Sequence, residues 1–365
     1  YKLFPPFCDR RKGVYFAPEG EKMKKVISIT LSALVIVACM SFIGCGENGG
    51  EPEEKTLSVK YYDDASSVMP MMISGKETIA LLPEPAATTL TKKATDKTWY
   101  RLDLQELYDG TAKAYPQAVI MVKQIVLKNN PGIVNKISAA FAENVNWVKS
   151  DTEAAVTAIS GAMGEGAVTS LNAKTLSETV IDNCKIYWQS AADGKTSVAK
   201  YVGDMIEIDE KSAKAVKDDF FYNENEEIQS EVADKQEISV YAPDGAPALA
   251  IAKFINDNES FETGKTFNYH VINATTIGGI ISKGTGDIIV MPITAASKLY
   301  ASYAADTYKM VSVVTHGNLY IMSTEKLTVN DLNNKRMAVI GQGNVPDLTL
   351  KAVLKKNNIK TVIAE

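Results

Sequence analysis

Four short stretches set turn residues and polar side chains directly after apolar runs, where backbone can meet a ligand. "APDGAP" carries Asp244 and Gly245 into an expected helix start, and "GQGNVPDLTLK" carries Gly341, Gln342, Gly343 and Asn344 into another. Free N–H groups and the dipole at such starts attract an anion. Gly341 and Gly343 permit close approach, but the stretch lacks the Lys-Ser/Thr of a nucleotide loop. "THGNLY" puts His316, Asn318 and Tyr320 on a strand junction, and "MPIT" offers Thr294 at a strand end. Each also reads as ordinary turn chemistry. Three carboxylates stand in corresponding places earlier in the chain: Asp63 and Asp64 after "SVKYY", and Glu84 in "LLPEP". Paired carboxylates could do acid–base work, yet no nucleophile, metal-ligand cluster or histidine shares their block. They read better as strand-end hydrogen-bonding groups, as acceptors for an amine or ring N–H, or, for Asp63-Asp64, as the start of a helix. Tyr115 and Gln117, ahead of the run "AVIMV", complete the candidates. Tyr61, Tyr62, Trp99 and Tyr100 read as core or wall, with one or two able to stack on a ring.

The elements that must position these residues form two blocks. In the later one, apolar runs "EISVYAP", "FNYHVINA", "GDIIVMP", "KMVSVVTH", "NLYIMS" and "RMAVIG" alternate with helical stretches such as "LTLKAVLKKNN". Near-continuous apolar strands alternating with helices indicate a parallel α/β sheet covered on both faces. The earlier block repeats this style with longer helices. In "NPGIVNKISAAFAENVNWVKSD", Ile133, Ile137, Phe141, Val145 and Val148 recur on one helical face. An acidic stretch, residues 223–237, has little to bury and reads as a linker. Ligands of open α/β sheets bind beyond the carboxyl ends of the strands, and the turn and carboxylate candidates above sit at such ends.

Composition narrows the function. The chain has 365 residues, 45% of them hydrophobic, with a net charge of -5. Its length suits two domains, and its acidity gives no footprint for nucleic acid. With two histidines, His270 and His316, a histidine-rich metal site is not expected, and no cofactor is. Of the four cysteines, Cys184 alone falls in the folded part, where a buried apolar thiol is expected.

The segment "MKKVISITLSALVIVACMSFIGC", Met23 to Cys45, has a positive start, an apolar run and small Gly44 before Cys45. It resembles a bacterial lipoprotein signal, whose final cysteine is acylated, with Phe42 where that motif usually has Leu. The apolar run is nearly long enough to span a membrane, so an uncleaved anchor is the alternative. Residues 46–55 would be a Gly/Glu-rich tether. Residues 1–22 are expected to lie upstream of a translation start at Met23.

"GDIIVMPITAASKLY", "HGNLYIMS" and "GQGNVPDLTLKAVLKKNN" are similar to the first lobe of ABC-transporter solute-binding proteins of the nitrate, sulfonate, taurine and thiamine-precursor type. "VKYYDDASSVMPMMISGKETIALLPEPAATTL" resembles the start of their second lobe. The resemblance implies a two-lobed, periplasmic-binding-protein-like type II fold with a mostly parallel sheet in each lobe. Residues 56–222 would form the second lobe and 238–365 the first, a circularly permuted order. The segments near Ser58–Tyr62 and Val362 would then be neighbours at the hinge. It further implies a non-enzymatic, monomeric, lipid-anchored extracytoplasmic protein that captures a small solute and delivers it to an ABC permease. Two alternatives use the same scaffold: a pyrimidine-precursor synthase-like enzyme and a sensing lipoprotein. Asp244, Gly245, Thr294, His316, Asn318 and Gly341–Asn344 are expected to face Asp63, Asp64, Glu84, Tyr115 and Gln117 across the cleft. Helix-start donors suit an anion or carbonyl, Glu84 an amine or ring N–H, and the two together a polar heterocycle.

Overall fold

The computed structural model describes residues 54–109, 115–228, 234–302 and 307–364. Residues 1–22, the signal-like segment with Cys45, most of the tether and residues 229–233 lie outside the described residues. Twelve strands are present among them: β1 (Lys55–Tyr62), β2 (Ile79–Pro83), β3 (Tyr100–Asp103), β4 (Pro116–Lys123), β5 (Ile186–Ser190), β6 (Glu237–Pro243), β7 (Thr266–Ile272), β8 (Ile288–Pro292), β9 (Tyr308–His316), β10 (Leu319–Ser323), β11 (Arg336–Ile340) and β12 (Ile359–Ile363). They build two six-stranded sheets, in the orders β12-β1-β11-β2-β10-β3 and β5-β9-β4-β8-β6-β7. Helices cover both, so the fold is α/β with two lobes, as expected.

The division of the chain is not the expected one. The first sheet takes β1–β3 from the earlier block and β10–β12 from the later. The second takes β4 and β5 from the earlier block and β6–β9 from the later. Hydrophobic pattern identifies a strand but carries no information about its partner, so contiguity in the sequence does not decide which strands share a sheet. Nor is the second sheet mostly parallel. Its β7-β6-β8 run is parallel, but β4 pairs antiparallel with β8 and β9, and β5 antiparallel with β9. The first sheet is parallel through β12, β1, β11 and β2, with β10 antiparallel to β2 and to β3. The reversals of β4 and β10 have one cause. β4 and β10 each follow a passage between lobes, enter at the carboxyl ends of their new neighbours and must run back down.

β12 does lie beside β1, with the Ala364 N–H donating to the Val59 carbonyl at 2.8 Å. This pair occupies the edge of its sheet opposite β10 and β3, not the hinge. The expected linker is also partly docked. Lys309 is buried and needs a counter-charge, which Glu226 supplies at 2.8 Å, while Lys235 pairs with buried Asp287 at 2.7 Å.

One apolar cluster runs between the lobes. It joins Leu57, Val59 and Leu81 of the first sheet, Val119, Met121 and Met291 of the second, and the helices Ala191–Ile208 and Val345–Lys356. Separate clusters back the far face of each sheet. Helix Ile133–Ser150 buries Ile133, Ile137, Phe141 and Val148 against the second sheet, the stripe its spacing predicts.

Candidate functional site

Strand directions decide where the sheets meet. β9 runs parallel to β8, so it ends at the carboxyl edge of the second sheet. After Gly317 and Asn318, β10 begins at the carboxyl edge of the first, with Leu319 opposite Pro83. β3 ends at that same edge, and helix Leu104–Asp109 leads back toward β4. The carboxyl ends of the two parallel runs therefore adjoin at one crossing, and all the nominated loops belong to those ends.

On the first sheet, Asp64 caps helix Ala65–Ser74, accepting from Ser67 N at 2.9 Å and from the hydroxyls of Ser66 and Ser67. Its other oxygen receives Asn273 Nδ2 of the second sheet at 3.4 Å. Burial raises its pKa, but these donors outweigh that and hold the carboxyl below its usual range. Asp63 is exposed. Glu84 follows β2, is buried, and is turned into the protein. Its carboxylate accepts from Thr88 N at 3.0 Å, Thr88 Oγ1 at 2.8 Å and Arg101 Nη1 at 2.7 Å. Three internal donors thus occupy the group expected to meet an amine. The reason is local: helix Ala86–Lys93 starts immediately after it with unpaired N–H groups.

Gly341 and Gly343 adopt positive φ, +62° and +71°, before helix Val345–Lys356. The expected anion site is filled from within. The Gly343 N–H donates to buried Asp347 at 2.8 Å, and Pro346 has no N–H to offer. Asp347 also receives Tyr61 OH and Lys351 Nζ. Gln342 and Asn344 are exposed.

On the second sheet, Asp244 accepts from Thr169 Oγ1 and Ser170 N, each at 2.6 Å, and Gly245 has φ +101°. Thr294 is buried near the start of helix Ile293–Ser302, its carbonyl receiving Ser297 Oγ. His316 is buried against Tyr187, the rings stacked at 3.6 Å, with Nε2 3.3 Å from Gln189 Oε1. Burial pushes its pKa down to about 4, against the opposing effect of the Lys185 carbonyl, so the ring is neutral at physiological pH. Cys184 is buried as expected, and burial, with the Glu84 carboxylate adding, pushes its thiol up.

At the crossing, Tyr115 proves to be core: it stacks on Tyr201 at 5.1 Å and is buried. Its carbonyl accepts Gly317 N at 2.8 Å, which ties the two passages together. A Cβ on Gly317 would meet the Tyr115 ring at 2.6 Å, so only glycine fits. Asn318 is buried, its Nδ2 directed at the Glu84 carbonyl at 3.3 Å and its Oδ1 without a hydrogen-bond partner. Gln117 falls in a register shift of β4, where Pro116 opposes His316 but Ala118 opposes Thr315. Its Oε1 is likewise buried and unpaired.

Sequence reading missed several residues at this place. Asn273 follows β7 and obeys the same strand-end rule that nominated the others. Gln105, which receives Leu319 N at 2.8 Å, and Arg101 gave no signal in the sequence. On one flank, Thr89 and Thr175 hydroxyls meet at 2.9 Å and Lys92 Nζ donates to the Thr175 carbonyl, joining the lobes. A surface pocket of about 540 Å³ lies elsewhere, between helix Thr152–Ala162, residues 255–258 and β7, and none of the nominated residues lines it. Among the described residues no cluster of His, Cys, Asp or Glu could hold a metal ion, and no helix is long and apolar enough to cross a membrane.

No protein-family model matches the chain, and no curated protein matches it. Among solved structures, the oligopeptide-binding protein AppA from Bacillus subtilis, in complex with a nonapeptide, aligns with 74% of this chain at 9% identity and a TM-score of 0.31. The chain spans 57% of that protein's length.

Proposed function

We propose that the chain is an extracytoplasmic solute-binding protein that captures a small polar molecule between its lobes and delivers it to an ABC permease. The observation that carries this reading is the adjoining of two parallel runs, carboxyl end to carboxyl end, through two short passages. That arrangement brings loops from both lobes to one place and leaves them able to close on a solute. The motifs around Glu84, His316 and Gly341–Asn344 support the nitrate, sulfonate, taurine and thiamine-precursor type within this class. Lipid attachment at Cys45 is part of the proposal, supported by the signal-like segment. Catalysis is not part of this reading: His316 is buried and neutral, the Cys184 thiol is buried and pushed up, and neither is poised as base or nucleophile.

The direct experiment is to denature the purified chain and identify released small molecules by mass spectrometry. A stoichiometric polar compound is the expected result; a chain that releases none and binds no small solute by calorimetry refutes the proposal. In cells, Cys45→Ser should abolish acylation and membrane fractionation, and unchanged fractionation would remove the anchor from the reading.

A further inference from the structure

The crossing between lobes holds two buried amide oxygens that nothing in the protein satisfies. A buried acceptor without a donor costs roughly 1–3 kcal/mol, so such atoms are uncommon and call for a reason. The orientation of Asn318 is determined by its neighbour. Its Nδ2 donates to the Glu84 carbonyl, and turning the amide over would set two oxygens against each other. The free atom at Asn318 is therefore an acceptor. Gln117 sits in an interruption of the β4–β9 ladder, and bulges of this kind re-aim a side chain, often beside functional sites. Its Oε1 is buried and unpaired as well.

Two of the groups that would welcome an anion are meanwhile spent. The Gly343 N–H is held by Asp347, and the Arg101 guanidinium by Glu84 and Thr88. An anionic oxygen brought to the crossing would find unpaired oxygens where it needs donors. A molecule that presents N–H groups would satisfy both.

We propose that Asn318 Oδ1 and Gln117 Oε1 form an acceptor subsite that selects an uncharged or cationic solute bearing N–H donors, such as an amide, an amidine or an amino-heterocycle, over nitrate or a sulfonate. This rests on the solute-binding reading above and adds the chemical class to it. Recognition by buried polar groups discriminates strongly, because a molecule lacking the matching donors leaves the acceptors desolvated and empty.

The test uses the purified full chain, titrated calorimetrically with cytosine, 2-aminopyrimidine and benzamidine on one side and with nitrate and methanesulfonate on the other. At least one N–H-bearing probe should bind, and the two anions should not. Gln117→Met, which keeps the side chain's length and removes the acceptor, should weaken that probe about tenfold or more. It should not lower the melting temperature of the unliganded protein, since it deletes an unsatisfied group. Asn318→Leu gives a second reading in which the Glu84 contact is also lost. Preferential binding of nitrate or methanesulfonate overturns the acceptor subsite and leaves solute binding standing. So does unchanged affinity of the N–H probe in both variants. If no probe binds, the compound released on denaturation decides: one with N–H donors that rebinds Gln117→Met at least about tenfold more weakly supports the subsite, one without them overturns it, and release of nothing overturns solute binding and the subsite together.

Discussion

Replacing Glu84 by Gln tests whether the Pro-Glu-Pro corner serves the fold or the solute. The carboxylate accepts three donors through two oxygens: Thr88 Oγ1 and Arg101 Nη1 on one, Thr88 N on the other. A glutamine keeps the shape but offers one oxygen and one NH2, so one side must meet a donor with a donor. Each charge-assisted hydrogen bond lost costs about 1.5–3 kcal/mol, and removing one partner of a fully buried ion pair about 3–5 kcal/mol. Glu84 is buried, but the Arg101 side chain is 30% exposed and can recover some hydration. The expected loss is therefore about 2–3 kcal/mol, near the lower end of these ranges. For a chain of this length that lowers the melting temperature by roughly 5 °C. Urea unfolding of wild type, Glu84→Gln, Arg101→Met and the double variant would give the coupling between the two side chains, expected to exceed about 1 kcal/mol. Full stability in Glu84→Gln, together with lost binding of the co-purified solute, would refute this and return Glu84 to the cleft.

Two further outcomes follow from the same geometry. His316 has a folded-state pKa of about 4, below its ordinary value, so the unfolded chain binds the proton first as pH falls. Stability should be intact above about pH 6.5 and decline by roughly 3 kcal/mol on the way to pH 4, with His270, also shifted down by burial, adding in the same direction. His316→Gln should remove most of that slope in a series of unfolding midpoints, and an unaltered slope would show the ring to be solvated. Asp64→Ala should cost about 1 kcal/mol through the lost helix cap, whereas the same change at exposed Asp63 should stay within about 0.5 kcal/mol; equal effects in urea denaturation would contradict the capping assignment.

The strand and helix inventory was largely legible in the sequence because periodicity and turn residues act locally. The runs at β8 and β9, the stripe of helix Ile133–Ser150 and the helix opened by Asp64 all lie where the pattern puts them. β3 and β12, short and half-exposed, carried too little apolar signal. By itself the sequence determined the α/β class, the buried Cys184 and the loops that end the strands. Only the tertiary structure decided which strands share a sheet, since pairing depends on partners distant in the chain. It also decided that Glu84 and Gly343 are satisfied from within while Asn318 and Gln117 are not. A side chain's type shows what it can bond; whether that capacity is spent depends on neighbours such as Arg101 and Asp347, which the fold alone delivers.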